Sequence, residues 1–381
     1  MLKNQTQHKI RLAFIADALD NQTAGVHHYT KEVAKQLIAL SKDPANNLEI
    51  YFIHLKANPL LGDLKRDKDI VVPDRQKIPG YRTWRYFFKI PQVCKKLKID
   101  VVWQPAQFGP FNLPKSIKRV TTIHDLTAIN LSRFHKFRDS IWQKLFLKFQ
   151  LTRTDLIVTP SQATTDELIG FVPSLSSEKV LTNHLASRFS AFEKEFPSST
   201  TESTKGLPIQ PYILVVGTKE PRKNHKTVVK AYKILKEIDQ KYANWELVFV
   251  GPNGWLYDND INLSGVINKG YVPDFELIKL YQNAQVLVYP SFYEGFGLPV
   301  IEAMSLGCPV ITTKKGALAE VGQNAVFYIE NPLDPTLIVK AIQQLDSQPS
   351  LKQKFIEAGK ELSAKSSWLK HVEQVLAKIF T

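Results

Sequence analysis

Cysteine is nearly absent from the sequence, and its scarcity excludes a protein held together by disulfides or by a structural zinc site. Cys94 and Cys308 are the only two cysteines among 381 residues. Two cysteines so far apart cannot form a disulfide framework or a structural zinc site. We therefore expect a protein of a reducing, cytoplasmic compartment.

Long apolar runs are missing as well. Lys3 and Lys9 precede an apolar run over residues 10–15, but Asp17 and Asp20 follow well short of the length of a signal-peptide core or a membrane span. We expect this run to be a buried first strand. The composition, 44% hydrophobic and 23% charged with a mean hydropathy of −0.19, is typical of a soluble globular protein. At about 150 residues per domain, the length favours two domains.

Acidic residues are too few to balance the basic ones, and the deficit lies in one half of the chain. The sequence has 50 Lys and Arg against 36 Asp and Glu, a net charge of +14 with a pI near 9.5. Residues 1–190 hold 29 basic and 16 acidic residues, or +13, which leaves 21 and 20, or +1, for residues 191–381. Such a field favours an anionic partner: nucleic acid, an anionic membrane or a phosphorylated substrate. The alternative is a lysine-rich surface that serves solubility alone.

One polar segment, residues 193–211, divides the chain, and its Ser, Thr and Pro content predicts a linker. On both sides of it, short apolar runs alternate with helical stretches, as in parallel sheets covered by helices on both faces. The predicted strands are residues 11–16, 48–54, 100–104, 119–123 and 156–159, then 212–216, 246–250, 266–269, 286–289 and 310–312. We therefore predict an α/β protein with two doubly wound, Rossmann-like domains, residues 1–192 and 212–365, facing a central cleft. Residues 366–381 form a last helix.

The most specific stretch is residues 286–313, VLVYPSFYEGFGLPVIEAMSLGCPVITT, which indicates a strand, a loop, a helix and a second strand. Gly295 and Gly297 permit close backbone approach, Pro299 suits a first helical turn and Gly307 suits the end of a helix. A helix N-terminus beside a strand end is a favourable site for an anion, because free N–H groups and the helix dipole both point at it.

Two acids, Glu294 and Glu302, bracket this loop with seven residues between them. If the anion is a nucleoside diphosphate, the helical Glu302 can accept hydrogen bonds from both ribose hydroxyls, and Glu294 in the loop can reach a sugar on the diphosphate. The alternative is that both are ordinary solvated acids at a helix start.

The segment GTKEPRKN, residues 217–224, follows the strand YILVV and precedes a helix. Arg222 and Lys223 therefore lie at the carboxyl edge of a parallel sheet, where such folds bind ligands. Two cations there can neutralise a diphosphate leaving group without a metal.

Two positions in the first half are weaker candidates. Gly25 follows the first strand and precedes a helix over residues 29–40, so that its backbone can approach a phosphate; a plain turn explains it equally well. His124 directly follows the strand RVTTI at a carboxyl sheet edge, and both a functional and a structural role suit it.

Together, EGFGLPVIE at 294–302, EPRKN at 220–224 and IHDL at 123–126 resemble the retaining family-four glycosyltransferases of the GT-B fold. The resemblance extends over nearly the whole chain, through TPSQAT at 159–164, GYVPDFELIKLYQNAQVLVYPS at 270–291 and GALAEVGQNA at 316–325. It implies a second domain that binds a nucleotide-sugar donor and a first domain that binds the acceptor. It also implies a final helix, near Trp368, that packs back on the first domain.

The resemblance implies a role for each candidate residue. Arg222 and Lys223 would hold the diphosphate, Glu302 the ribose, and Glu294 the donor sugar. The other implied contacts are the backbone of Gly295, Phe296, Gly297 and Leu298 for the distal phosphate and sugar, Tyr271 and Val272 for the nucleobase, Gly25 for the diphosphate, and His124 for the donor sugar near the reacting carbon. The catalytic set would be His124, Glu294, Arg222 and Lys223. Thr218 stands where many relatives have Arg, and AGVHHY has one glycine.

We accordingly expect a metal-independent hexosyltransferase that moves mannose, glucose or an N-acetylhexosamine from a nucleotide-sugar to a glycan or lipid-linked acceptor in surface polysaccharide or glycolipid synthesis. No cofactor and no nucleic-acid partner are expected. Asp258–Asn259–Asp260 matches D-x-D, and we interpret this match as chance. The alternatives are a nucleotide-sugar hydrolase or epimerase of the same fold, and a basic nucleic-acid-binding protein.

The segment YRTWRYFFKIPQVCKKLK, residues 81–98, interleaves cations with aromatic residues. Such a pattern is typical of helices that lie on a membrane surface, although an apolar helix at this place also packs in a core. With +13 on this half, we expect an anionic membrane as a partner, contacted from its inner face.

Overall fold

The computed structural model describes residues 9–20, 25–56, 68–73, 80–126, 147–190, 208–254 and 263–380. The chain divides into two compact units. The first unit comprises Met1–His184 together with Trp368–Thr381, and the second unit comprises Leu185–Ser367. The Asp258–Asp260 match and most of the predicted linker, residues 193–207, lie outside the described residues.

The first unit is built on a seven-stranded parallel sheet. Its strands are β1 (Ile10–Ile15), β2 (Leu48–His54), β3 (Asp69–Val71), β4 (Val101–Gln104), β5 (Lys118–Thr122), β6 (Leu156–Thr159) and β7 (Val180–Thr182). Their spatial order is β3-β2-β1-β4-β5-β6-β7. The order reverses between β1 and β4, which is where doubly wound sheets open a crevice at the carboxyl ends of the strands.

The second unit repeats this order with a six-stranded parallel sheet. Its strands are β8 (Tyr212–Val216), β9 (Glu246–Val250), β10 (Val266–Gly270), β11 (Val286–Tyr289), β12 (Val310–Thr313) and β13 (Phe327–Ile329), arranged β10-β9-β8-β11-β12-β13. The strands β8, β11 and β12 are buried on both faces along their whole length, and so is β9 after Glu246, which explains their continuous apolar runs.

Helices cover both sheets. The first unit has α1 (Gly25–Lys42), α2 (Tyr81–Trp84), a π-helical turn (Arg85–Lys89), α3 (Ile90–Lys96) and α4 (Gln162–Phe171). The second has α5 (His225–Ile238), α6 (Asp274–Asn283), α7 (Leu298–Ser305), α8 (Leu318–Gly322), α9 (Pro335–Ser347) and α10 (Pro349–Ala364). The chain then returns to the first unit as α11 (Trp368–Phe380).

The returning helix α11 is fixed to the first unit by polar contacts as well as by its apolar face. Tyr29 on α1 hydrogen-bonds both Thr122 and His371 at 3.1 Å. The Asn183 amide donates to the His371 carbonyl at 3.0 Å, and the Lys118 ammonium donates to the Ile379 carbonyl at 2.7 Å. The predicted two doubly wound α/β sheets are therefore confirmed.

Two features differ from the sequence-based expectations. Three further strands, β3, β7 and β13, have only three residues each and stand near or at the edges of the sheets. The chain passes to the second unit after His184 rather than after residue 192. The reason is that Ser187 and Arg188 make their side-chain contacts with residues of the second unit.

No helix of the described residues combines the length and the apolar character that crossing a membrane requires.

Candidate active site at the carboxyl edge of the second sheet

Two connections meet where the strand order of the second sheet reverses. One is the turn of residues 217–224, which follows β8; the other is the loop of residues 290–297, which follows β11, the neighbour of β8. The Phe292 amide donates to the Arg222 carbonyl at 2.9 Å, and the Arg222 guanidinium donates to the Tyr293 carbonyl at 2.5 Å. The two connections are thus joined at the place where this fold binds ligands.

Glu294 is the centre of a buried charge cluster that spans this junction. Its carboxylate accepts hydrogen bonds from Lys223 at 2.6 Å and from Tyr289 at 2.8 Å, and its second oxygen lies 2.7 Å from Arg222. Arg222 also pairs with Glu220 at 2.5 Å. Lys223 additionally donates to the Tyr289 hydroxyl. In this structure the two predicted phosphate-binding cations are therefore neutralised by two carboxylates.

The charges in this cluster reinforce one another. Burial alone would raise the pKa of Glu294, but Lys223 and Arg222 outweigh it and lower that pKa to about 2. Burial lowers the pKa of Lys223, although Glu294 opposes the shift. For Arg222, burial acts to lower the pKa and the Glu294 and Glu220 charges raise it further than burial lowers it. Glu294 is consequently ionised throughout the physiological range.

The N-terminus of α7 adjoins this cluster. Its N-cap is Gly297, with φ +100°, and Pro299 occupies the first turn as predicted. No side chain of the described residues caps this helix. A residue other than glycine at 297 would be strained, and its Cβ would come within 2.7 Å of Leu318. Gly295, Phe296 and Gly297 are buried beside Glu294, while Leu298 is partly exposed. The backbone thus presents the helix dipole where the sequence predicts an anion.

Glu302 lies one turn into α7 and is only 3% exposed. The Nε of Arg188 donates to one of its oxygens at 2.7 Å, and the Tyr281 hydroxyl donates to the other at 3.2 Å. Arg188 also pairs with Asp274 at 2.6 Å. Burial raises the pKa of Glu302, and the Arg188 charge opposes this rise.

Tyr271 and Val272 connect β10 to α6. The Tyr271 side chain is 55% exposed, whereas Val272 is 6% exposed. The Val272 side chain is therefore buried, and the nucleobase contact expected of this pair stays a prediction.

In the first unit, His124 follows β5 and packs edge-on against Tyr29, with ring centroids 4.7 Å apart. Its Nε2 lies 2.7 Å from the Pro105 carbonyl, which can only accept, so this nitrogen carries the proton. Burial lowers the pKa of His124, which favours the neutral ring and leaves Nδ1 as a hydrogen-bond acceptor. Gly25 is the exposed first residue of α1, which begins four residues before the predicted start at 29.

Comparison with known proteins places these residues in a family. The model described as "Glycosyltransferase Family 4" matches residues 23–180, and "Glycosyl transferases group 1" matches residues 200–362. The O-antigen chain mannosyltransferase B of Escherichia coli is 32% identical over 278 residues, which covers 68% of this chain and 70% of the relative. The chain is a family-four-like GT-B glycosyltransferase.

Further proteins are similar to the glycosyltransferase in sequence or in fold. The serotype-specific mannosyltransferase WbdA of Escherichia coli is 29% identical over 66% of this chain, a match that spans only 32% of WbdA. A glycosyltransferase of Rickettsia africae superposes with a TM-score of 0.71 at 18% identity, over 97% of this chain and 98% of that one. Anabaena Alr3699/HepE in complex with UDP-glucose superposes with a TM-score of 0.67 at 14% identity, over 97% and 99%. The predicted GT-B fold is therefore confirmed.

Sequence reasoning missed several groups in the glycosyltransferase site. Tyr289 was assigned to a buried strand, yet its hydroxyl bonds Glu294. Glu220 stands beside Arg222 in the quoted motif and shares its charge. Arg188 and Tyr281, which bind Glu302, gave no signal, because one lies in an irregular segment and the other at an ordinary apolar position of α6.

Proposed function

We propose that this glycosyltransferase moves a hexosyl unit from a nucleotide-sugar to a hydroxyl of a glycan or lipid-linked acceptor, with retention of anomeric configuration, in surface polysaccharide or glycolipid synthesis. One observation carries the proposal. Arg222 and Lys223 meet at Glu294, in the loop that leads into α7. That helix has no side-chain cap among the described residues, and Glu302 lies one turn inside it. This arrangement suits a diphosphate joined to a ribose.

The relatives support the class of donor. Two are named mannosyltransferases, and Alr3699/HepE was solved with UDP-glucose. GDP-mannose, UDP-glucose and UDP-N-acetylhexosamines fit the same set of side chains, and the relatives favour a mannosyl donor. Nucleotide binding is testable by thermal stability with GDP, UDP and ADP. A ligand at about a hundred times its dissociation constant adds roughly 2.7 kcal/mol, and this gain should collapse in Glu302→Ala.

The chemical step needs charge stabilisation more than it needs a base. The bond between the anomeric carbon and the phosphate oxygen breaks, and its electron pair stays on the diphosphate. Arg222, Lys223 and the α7 N-terminus would stabilise that charge. The acceptor hydroxyl forms the new bond on the same face, and its proton goes to the departing phosphate oxygen. The Nδ1 of His124 would accept a hydrogen bond from a sugar hydroxyl.

We further propose that transfer is independent of metal, because two protein cations and a helix dipole perform the task that a divalent ion performs elsewhere. Activity should survive excess chelator. Complete loss restored only by a divalent ion would show that the protein cations do not suffice.

The products separate the transferase from the other hypotheses. A nucleotide plus a new glycoside of unchanged anomeric configuration identifies a retaining transferase. A nucleotide plus free or altered sugar identifies a hydrolase or epimerase instead. Salt-sensitive binding to random DNA, unaffected by nucleotides, would favour the nucleic-acid hypothesis.

A peripheral membrane contact is proposed for the segment of residues 81–98. Its core-facing side chains Arg85, Tyr86, Ile90 and Cys94 are buried, whereas Trp84 and Phe88 are 40% and 54% exposed. The Lys89 ammonium lies 5.3 Å from the Trp84 ring centroid. Aromatic rings beside cations suit an anionic lipid surface. Co-sedimentation with anionic vesicles should fall in Trp84→Ser, and no preference for anionic over neutral vesicles would contradict the proposal.

A further inference from the structure

Arg188 is the cation that pairs with Glu302 among the described residues, yet it lies outside every motif on which the function rests. It stands in the segment of residues 185–190 that opens the second unit. Its Nε donates to Glu302 at 2.7 Å, its Nη1 donates to Asp274 at 2.6 Å, and its Cζ lies 4.5 Å over the Phe189 ring. Its side chain is 8% exposed. Three contacts on different sides fix the orientation of the guanidinium.

The carboxylate that Arg188 holds has two acceptor positions to spare. A carboxylate offers about four lone-pair positions on its two oxygens. Among the described residues, Arg188 uses one position on Oε1 and Tyr281 uses one on Oε2. One position then remains on each oxygen. Two acceptors a carboxylate's width apart match the two neighbouring hydroxyls of a ribose, and a deoxyribose offers only one.

We propose that Arg188 is a positioning residue that orients the Glu302 carboxylate toward both ribose hydroxyls and so makes the site select ribonucleotides over deoxyribonucleotides. The inference rests on the proposed function, in which Glu302 binds the ribose. Arg188 touches no substrate in this scheme. It acts through Glu302, and its Asp274 contact and its packing on Phe189 keep it in place.

The charge of Arg188 adds a pH dependence. The titratable and charged groups that face Glu302 are Arg188, Tyr281 and Asp274; Cys308 lies near Tyr281, and Lys360 faces the far end of α7 at Gly307. Burial raises the pKa of Glu302, and Arg188 is the strongest group that opposes this rise. Without Arg188, the pKa of Glu302 rises further and its protonated form accumulates toward neutral pH.

The test measures dissociation constants of GDP and UDP and of their 2′-deoxy and 3′-deoxy forms by calorimetry. For the wild type we expect the ribonucleotide that binds to be favoured about tenfold or more, as for a hydrogen bond to a charged group. Arg188→Met should reduce that ratio to about twofold. In Arg188→Met the ratio should recover as the pH is raised from 7 to 9, because Glu302 loses its proton again. The two ligands carry the same diphosphate, so protonation of the phosphate affects both dissociation constants equally and does not change their ratio.

Three further variants make the outcome decisive. Arg188→Lys keeps a charge but loses the fork, so we expect an intermediate ratio even if Arg188→Met folds poorly. Glu302→Gln should lose the discrimination entirely. Lys241→Met removes the ion pair with Asp346 elsewhere in the second unit and should leave the ratio unchanged.

A full ratio in both Arg188 variants, with loss in Glu302→Gln, overturns the role of Arg188 and leaves the proposed function intact. A wild type that binds no nucleotide overturns both. Equal binding of the ribo and deoxy forms by the wild type refutes the ribose role of Glu302, and the Arg188 inference with it.

Discussion

If the proposed function holds, Glu294 has opposite effects on the binding of a bare nucleoside diphosphate and on the binding of a nucleotide-sugar. In this structure it neutralises Lys223 and Arg222, at 2.6 and 2.7 Å. A diphosphate at the α7 N-terminus would have to share these cations with the carboxylate. A donor sugar, in contrast, would gain a hydrogen-bond acceptor from it. The same side chain should therefore weaken the binding of the bare diphosphate and assist the binding of the sugar.

We expect Glu294→Gln to bind the nucleoside diphosphate more tightly than the wild type while sugar transfer falls by about a hundredfold or more. Removal of the negative charge leaves Lys223 and Arg222 free to pair with phosphate, and the transition state loses a directed contact. Calorimetry with the nucleoside diphosphate measures the expected gain in affinity, and a transfer assay measures the expected loss of activity.

Glu302→Gln is the matched control. It removes a second buried carboxylate from α7, the helix that follows the Glu294 loop, and Glu302 does not contact Lys223 or Arg222. It should weaken diphosphate binding. Weaker binding by Glu294→Gln as well would show that Glu294 organises the cations instead of competing for them.

Residues of this site could be predicted from the sequence where they stand in short motifs. Glu294, Arg222 and Lys223 stand in short motifs beside a strand end, so that the sequence alone predicted their meeting. Their mutual neutralisation was not predictable, since it depends on how close two connections approach across the sheet. Arg188 reaches Glu302 over 114 positions of the chain, and no spacing indicates such a contact.

At the scale of the elements, the loop that carries Glu294 packs against the turn before α8, which contains Gly316. Its φ is +56°, and a Cβ there would come within 2.8 Å of the Glu294 carbonyl. The Ala317 amide donates to that same carbonyl at 3.2 Å. The backbone of residues 316–317 therefore packs against the Glu294 backbone and hydrogen-bonds it, which holds the loop in position.

We expect Gly316→Ala to lower the free energy of unfolding by about 1–3 kcal/mol, since it combines left-handed strain with displacement of the Glu294 backbone. Transfer activity should fall in the folded fraction as well. Gly170→Ala is the control, because Gly170 is helical and a Cβ there meets nothing within 4 Å. It should be neutral or stabilising by up to about 1 kcal/mol, and a similar loss in both variants would contradict the argument.

At this scale the sequence predicted the central strands and the edge strand β10, and it missed the three short strands at the other edges. Strands such as β8 and β11 read as apolar runs because both of their faces are buried. The strands β3, β7 and β13 have three residues each and are partly exposed, and three residues are too few for a strand pattern to show in the sequence. They exist because a neighbouring strand supplies hydrogen-bonding partners.

At the scale of the whole molecule, α11 completes the first unit through hydrogen bonds as well as through apolar contacts. A continuous chain of hydrogen bonds runs from Trp103 through Thr122 and Tyr29 to His371, whose Nδ1 lies 3.2 Å from the His184 carbonyl. That carbonyl must accept from Nδ1–H, so Nε2 of the neutral ring accepts from Tyr29. Burial lowers the pKa of His371 to about 4.

The stability of the first unit should therefore fall as the pH drops from about 6.5 to 4. The unfolded chain gains a proton on this histidine before the folded one does, so acid favours unfolding, by about 3 kcal/mol for this group. In His371→Gln the unit should be less stable at pH 7 but lose less over the same range. Hydrogen exchange resolved by segment separates this effect from that of His225 in the second unit, whose pKa burial lowers to about 3. An unchanged pH slope of the first unit in His371→Gln would refute the role of His371.

Removal of residues 368–381 should loosen the first unit and spare the second. The lost helix buries Trp368, Val372, Val375, Leu376 and Ile379 against α1 and β6. Hydrogen exchange should rise over α1, β5 and β6 and stay constant over β8 to β13, with nucleotide binding retained. Equal loosening of both units would show that they do not fold independently.

The path of the chain through its two units also bears on the order in which they mature during synthesis. The second unit is one continuous stretch, Leu185–Ser367, whereas the first needs Trp368–Phe380 to cover α1 and β6. On the ribosome, domains generally fold as they emerge, the N-terminal one first. Here the sheet of the first unit emerges first but stays partly uncovered until α11 has left the ribosome, so the second unit is finished earlier. The apolar face of α1 and β6 that α11 covers therefore stays open to solvent until that helix has been synthesised.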